Sequence, residues 1–348
     1  MKRLLFVAFV PLGCDASEAD GVPQQRARPV SSATDEACEA CHPAVAAQWA
    51  GSRHHRAFTN IDFQRSYTRE PEPFCRDCHA PGTKDVGPEF ATDAEHRGID
   101  CRDCHGDGDA VQTGPGPSVD APHEIARSQE FGTESCARCH EFAFPESSRR
   151  PASFLMQSTM LEHAQSPFSE RSCASCHFSA DGGGVDHSLA STRSPEAWRR
   201  ALRVEARASG SAVAFTLRPV GVGHALPTGD LFRRLALHVE WWVADERVSS
   251  ATRYLARHFE PWRREDGSLN PAYAWPVRDD RVAAQTEFLV EAEGAGRDVG
   301  GEWVWWVEYQ RVDAREDDRP QDATIASAVR IAGGRISSQG LDGIVAAN

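Results

Sequence analysis

From about residue 205 to the end, apolar and polar side chains alternate in short runs, the period-2 pattern of half-buried strands. Such runs occupy 212–217, 235–243, 288–293, 302–312 and 324–331, with turn residues between them. Several short strands in succession predict a β-sandwich-like domain over 205–348. Seven of the nine tryptophans fall between Trp241 and Trp306, and side chains of that size belong in its core rather than on a ligand platform.

Upstream the pattern is of another kind. Between about 36 and 204 large apolar residues are sparse and Gly, Pro, Asp and Ser are frequent, with loops at Gly114-Pro115-Gly116-Pro117 and Gly182-Gly183-Gly184. Helical pieces are predicted at 43–52, 154–165 and 195–208. So little apolar material cannot build an ordinary core, and something else must fill the interior.

Residues 15–35 hold Ser17, Pro23, Gln24, Gln25, Pro29, Ser31 and Ser32 with almost no large apolar side chain, and read as a flexible tether. Ahead of it, Lys2 and Arg3 precede an apolar run from Leu4 to Val10, the n- and h-regions of a signal peptide over 1–14. It ends in Pro11-Leu12-Gly13-Cys14, which resembles a bacterial lipobox with proline where leucine is usual. The expectation is export to the periplasm or cell surface, with Cys14 lipidated as a membrane anchor; ordinary secretory cleavage is the alternative. The run is too short to span a bilayer, which takes about 20 apolar residues, and no other run approaches that length.

The missing interior has a chemical explanation. One phrase recurs five times: Cys38-Glu39-Ala40-Cys41-His42, Cys75-Arg76-Asp77-Cys78-His79, Cys101-Arg102-Asp103-Cys104-His105, Cys136-Ala137-Arg138-Cys139-His140 and Cys173-Ala174-Ser175-Cys176-His177. Cys-x-x-Cys-His is the attachment pattern of a c-type haem. Cysteines three apart share one side of a helical turn, placing both sulfurs for thioethers to the vinyl groups, and the next residue is the proximal iron ligand. Zinc ribbons space paired Cys-x-x-Cys units about 15–20 residues apart and need no histidine after each pair. A thioredoxin-like pair needs one such unit in a βαβ setting, and a disulfide framework leaves five histidines unexplained. Five covalent haem c groups are therefore expected, serving as the core of a pentahaem domain over 36–204. The fold class is α plus β and multidomain: a loop-rich helical part organised by cofactors, then the β-sandwich-like domain.

A length of 348 residues suits about two domains. A net charge of -13 argues against nucleic acid as a partner and fits basic redox proteins.

Iron needs a second axial ligand. Nine histidines lie outside the attachment phrases: His54, His55, His96, His123, His163, His187, His224, His238 and His258. With only Met1, Met156 and Met160 in the chain, bis-histidine ligation dominates, which favours low potential.

The opening phrase, with Trp49, Ser52 and His54 after Cys41-His42, resembles the tetrahaem cytochromes related to hydroxylamine oxidoreductase, as does Gly98-Ile99-Asp100-Cys101 with Cys104-His105-Gly106. A broader group of multihaem cytochromes with a β-rich tail is similar further along. The matching residues are Phe74-Cys75, Cys78-His79-Ala80-Pro81, Cys139-His140-Glu141-Phe142, Thr159 with Glu162 and Ser166, Asp186-His187, and Gly223-His224-Ala225-Leu226-Pro227-Thr228-Gly229. The resemblance spans about 36–290, with His163 standing where that group tends to have tryptophan. It implies distal ligands at His54, His123, His187 and His224, paired as His42 with His123, His105 with His54, His140 with His187, and His177 with His224. The haem of His79 is left with His55, His96 or His163, or with an open site. His238 and His258 read as structural.

Two functions are compatible with this. One is an electron carrier passing single electrons between redox partners; the other is an oxidoreductase whose one open haem acts on a small nitrogen or sulfur compound. Plausible distal histidines outnumber the haems, which favours the carrier. Assembly into a haem filament has no dedicated feature.

Overall fold

The computed structural model describes residues 35–69, 71–84, 91–107, 110–143, 155–180, 184–189, 194–263, 266–267, 269–296, 300–313, 320–337 and 345–346. The expected signal segment with Cys14, and nearly all of the tether, lie outside these residues.

The C-terminal part is a sandwich of two four-stranded sheets. One runs in the order Thr286–Glu291, Ala212–Pro219, Leu202–Ser209, Val345–Ala346 and the other Ile325–Ser337, Glu302–Val312, Arg233–Val243, Glu246–Leu255. All neighbours are antiparallel. The strand Glu302–Val312 shows why the chain folds this way: Trp303, Trp305, Val307 and Tyr309 point inward. They stand opposite Trp241, Val239, Leu237 and Leu235 of the neighbouring strand. Trp241, Trp303 and Trp305 are fully buried, and the rings of Trp241 and Trp303 lie 5.1 Å apart. Gly301 is required beside them, since a Cβ there would meet the Trp241 ring.

The sandwich begins upstream of the expected boundary at 205. The helix predicted over 195–208 stops at Ala201 and the chain continues as the strand Leu202–Ser209. Leu202, Val204 and Ala206 face in while Arg203, Glu205 and Arg207 face out, a period of two that prevails over helix propensity once a sheet edge is at hand. The short helix Pro195–Ala201, capped by Ser194, delivers Trp198 to the sandwich core, stacked on Tyr309 at 4.8 Å. A second correction concerns 154–165, where Leu155–Ser158 pairs as a strand with Glu141–Ala143 and only Thr159–Ala164 is helical.

The N-terminal part consists of short helices on which the attachment segments sit: Asp35–Cys41, Arg76–His79, Cys101–His105, Phe131–His140 and Ala174–His177. Among the described residues before Ala197, Phe58 and Ala80 alone are buried hydrophobics. The polypeptide supplies this half with almost no core of its own. No described helix is long and apolar enough to cross a membrane.

Candidate haem centres

Four attachment histidines are the last residue of a short helix, and His42 directly follows the helix Asp35–Cys41. The helix Phe131–His140 is the hub: it touches the helices Arg76–His79, Cys101–His105 and Ala174–His177. Its Cys136 neighbours Cys173 and its Cys139 neighbours Cys78. Gly132 permits the close approach, since a Cβ there would come within 2.8 Å of Ala174. The helix Asp35–Cys41 of the first segment touches Cys101–His105 of the third, so all five segments form one connected set. Burial pushes the Cys104 thiol up to about 12, where thiolate chemistry is suppressed.

Three pairs of histidine rings face each other. The centroids of His54 and His140 are 6.3 Å apart, those of His105 and His187 6.2 Å, and those of His177 and His224 6.1 Å. The partners of His54 and His187 are thus exchanged relative to the pairing that the resemblance implied. The reason is non-local: Ile99 donates its N–H to the His54 carbonyl at 2.9 Å. Gly98, at φ +64, lets that backbone approach where a Cβ would collide with the same oxygen. His54 is thereby turned toward the fourth segment.

The ring environments prepare these histidines as ligands. Nδ1 of His105 lies 2.8 Å from the Gln112 carbonyl, Nδ1 of His79 2.8 Å from that of Ala57, and Nδ1 of His224 3.0 Å from that of Ala225. A carbonyl can only accept, so the proton sits on Nδ1 and the Nε2 lone pair is left for a metal. Burial holds His140 and His177 down to about 4, with His54 and His224 adding to the effect, and both are neutral at neutral pH. His187 Nδ1 is buried without a hydrogen-bond partner.

The remaining candidates are placed elsewhere. His42 and His123 are exposed, and among the described residues no ring contact joins them. His55 packs on Trp49 at 4.4 Å with Nδ1 3.4 Å from the Arg97 carbonyl. His96 is exposed near the end of the helix Ala91–Arg97, and His163 packs against Gly223, next to His224. His79 has no facing histidine ring among the described residues; Phe63 lies on it at 3.7 Å and 12°. His238 is tied to Thr252 and stacks on Trp306, and His258 is held by Asp280.

Two polar clusters were not foreseen as parts of the site. The Glu162 carboxylate accepts from Ser158 at 2.8 Å, Thr228 at 2.6 Å, the Ala225 N–H at 3.2 Å and Arg281 at 2.7 Å. It pins the loop of the sandwich that carries His224. Its signal was the Thr159–Glu162 spacing in the family-like pattern. The second cluster centres on Asp230, which pairs with Arg233 at 2.8 Å and Arg311 at 2.9 Å. Burial alone would raise its carboxyl, but the two guanidiniums outweigh burial and hold it below the usual carboxylate range. Its folded value is the lower one, so its stabilisation is present above the unfolded value of about 3.9 and is lost as pH falls. Asp230→Asn is therefore expected to lower the melting temperature at pH 7 and to narrow the difference from the parent at pH 3, measured by thermal melts across pH.

The family model described as "Cytochrome c554 and c-prime" matches residues 37–106, which contain the first three attachment segments. In fold the chain is similar to a penta-heme cytochrome c552 from Thermochromatium tepidum. The TM-score is 0.64 at 18% sequence identity, covering 88% of this chain and 98% of that one. The fold is that of a multihaem c-type cytochrome. No curated protein matches the sequence.

Haem fits the observed ring spacings. A metal–imidazole bond of about 2.0 Å, with about 1.1 Å from nitrogen to ring centre, sets two axial rings about 6.2 Å apart. Among the described residues no group of three or more His, Cys, Asp or Glu could hold a metal ion unaided. Each facing pair of imidazoles would hold the iron of a haem, which would supply reversible one-electron chemistry.

Proposed function

We propose that this protein is an exported pentahaem c-type cytochrome, related to the hydroxylamine oxidoreductase group, that carries single electrons between redox partners outside the cytoplasm. The observation that carries this reading is the set of three facing histidine pairs at 6.1–6.3 Å. Haem c, bound through the ten cysteines, would supply reversible one-electron iron chemistry. The chain's part would be to hold three irons between imidazoles, His54 with His140, His105 with His187 and His177 with His224, and so to keep small molecules off them. It also packs the second, third and fifth attachment segments against the helix of the fourth. Low potential follows from bis-histidine ligation.

The N-terminal reading completes the proposal. Export through 1–14 and a lipid on Cys14 would hold the protein at a bacterial membrane, with the polar stretch behind it as a tether. Its acidic composition suits partners with basic docking faces. The oxidoreductase reading draws on the two attachment histidines without a facing histidine ring among the described residues: His79, where Phe63 meets the ring, and the exposed His42.

Purified from a host able to mature c-type cytochromes, the protein is expected to carry a mass increment of five haems. Its oxidised electron paramagnetic resonance spectrum should be dominated by low-spin ferric signals. A colourless folded product with free thiols would refute the cytochrome reading. A high-spin signal that shifts with cyanide or hydroxylamine would move the protein to the oxidoreductase reading. Cys14→Ser is expected to release it from the membrane fraction, and retention there would refute the anchor.

A further inference from the structure

The attachment histidine His79 is held in two directions by one stretch of chain. In the plane of its ring, Nδ1 donates to the Ala57 carbonyl at 2.8 Å. Across that plane, Phe63 lies flat on the imidazole, with 3.7 Å between ring centroids and 12° between planes. Imidazole binds iron through a lone pair in its own plane, so a phenyl ring on its face leaves Nε2 open. What the face contact opposes is rotation about the Cβ–Cγ bond. The flat ring cannot turn without striking Phe63.

Phe63 is itself held firmly. Asn60 Oδ1 accepts from the N–H groups of Asp62 and Phe63 at 3.0 and 3.2 Å, capping the helix Ile61–Arg69. Tyr67, one turn further on, stacks on Phe63 at 5.4 Å and 17°, and the buried Phe58 meets these two rings at 5.5 and 5.6 Å. Arg76 closes the group from inside the attachment phrase. Its guanidinium lies 5.6 Å from the centroids of Phe58 and Tyr67 and is fixed by Glu95 at 2.7 Å. The second attachment segment is thus gripped at Arg76 and again at His79. Phe58 and Ala80, the two buried hydrophobics described before Ala197, both belong to this place.

We propose that Phe63 is a positioning residue that fixes the ring plane of His79 as an axial ligand of the haem on Cys75 and Cys78, an inference that rests on the pentahaem reading. Groups outside the ligand shell that orient a ligating histidine also tune its metal. The ring plane decides which iron d orbital meets the imidazole π system, and with it the magnetic anisotropy of the oxidised haem. Ala57 alone would leave the ring free to swing about its hydrogen bond.

The test uses the matured holoprotein with Phe63→Leu, Phe63→Tyr and Tyr67→Leu, after mass spectrometry of the haem peptides has counted the groups in each. In Phe63→Leu one ferric component of the electron paramagnetic resonance spectrum is expected to move and to broaden, as the released ring samples several planes. The other components should keep their positions. Phe63→Tyr keeps the flat ring and should restore the parent spectrum. Tyr67→Leu removes only the ring behind Phe63 and should broaden the same component by less; it carries the test if Phe63→Leu fails to mature. A full haem complement with an unchanged spectrum in the leucine variants would overturn the proposal. So would a Phe63→Tyr spectrum as far from the parent as that of Phe63→Leu, since bulk rather than stacking would then be at work. A parent protein whose peptide mass shows no haem on Cys75 and Cys78 would defeat the pentahaem reading, and this proposal with it.

Discussion

Changing Cys136 and Cys139 together to serine is expected to remove one haem and to disconnect those that remain. The helix Phe131–His140 is the piece that touches the second, third and fifth attachment helices. Its two cysteines lie against Cys173 and Cys78. Haem analysis should find four groups instead of five. Rapid-reduction kinetics should show electron redistribution among them slowed by an order of magnitude or more. The same pair of changes at Cys38 and Cys41 should also cost one haem but leave redistribution among the others nearly intact. That segment joins the set at one end, through the helix Cys101–His105. Equal slowing by both variants would mean that the fourth segment is no hub.

Glu162→Ala is expected to convert the haem held between His177 and His224 from low to high spin. The carboxylate organises the His224 loop from two sides, through the Ala225 N–H and Thr228, and also faces Arg281, whose side chain is 6% exposed. Deleting one partner of a buried, hydrogen-bonded ion pair costs about 3–5 kcal/mol. The lower end applies here, because Asp279 still pairs with Arg281 at 2.7 Å. A loss of that size should lower the melting temperature and release the His224 loop. Added imidazole should restore the low-spin spectrum. Glu162→Gln keeps an acceptor for Thr228 and Ala225 and should fall between. A destabilised variant with an unaltered spectrum would show that Glu162 supports the sandwich without positioning His224.

Some of this architecture was readable from the chain alone. The strand Glu302–Val312 appears within the bounds its alternation suggested, because every second residue is large and apolar. Glu246–Leu255 was missed because it is an edge strand carrying mostly small or polar residues, with little contrast between its faces. The strand Leu202–Ser209 was hidden behind a helix whose composition runs on smoothly into it. At the candidate centres, the attachment residues follow from spacing within one turn, a local property. Which rings face each other is not local. Partnership of His54 with His140 depends on a backbone contact with Gly98 and Ile99, and no count of histidines contains that information. Likewise Phe63 looks like an ordinary apolar helix residue until its ring is seen lying on His79.

The uneven distribution of buried apolar residues has a consequence for biogenesis. A sandwich with its own tryptophan-rich interior can fold as soon as it is synthesised, whereas the preceding half has little reason to collapse before its prosthetic groups arrive. The attachment cysteines would then stay open to the ligation machinery until the last group is joined. His224, already presented by a finished domain, would serve as the latch that closes the assembly.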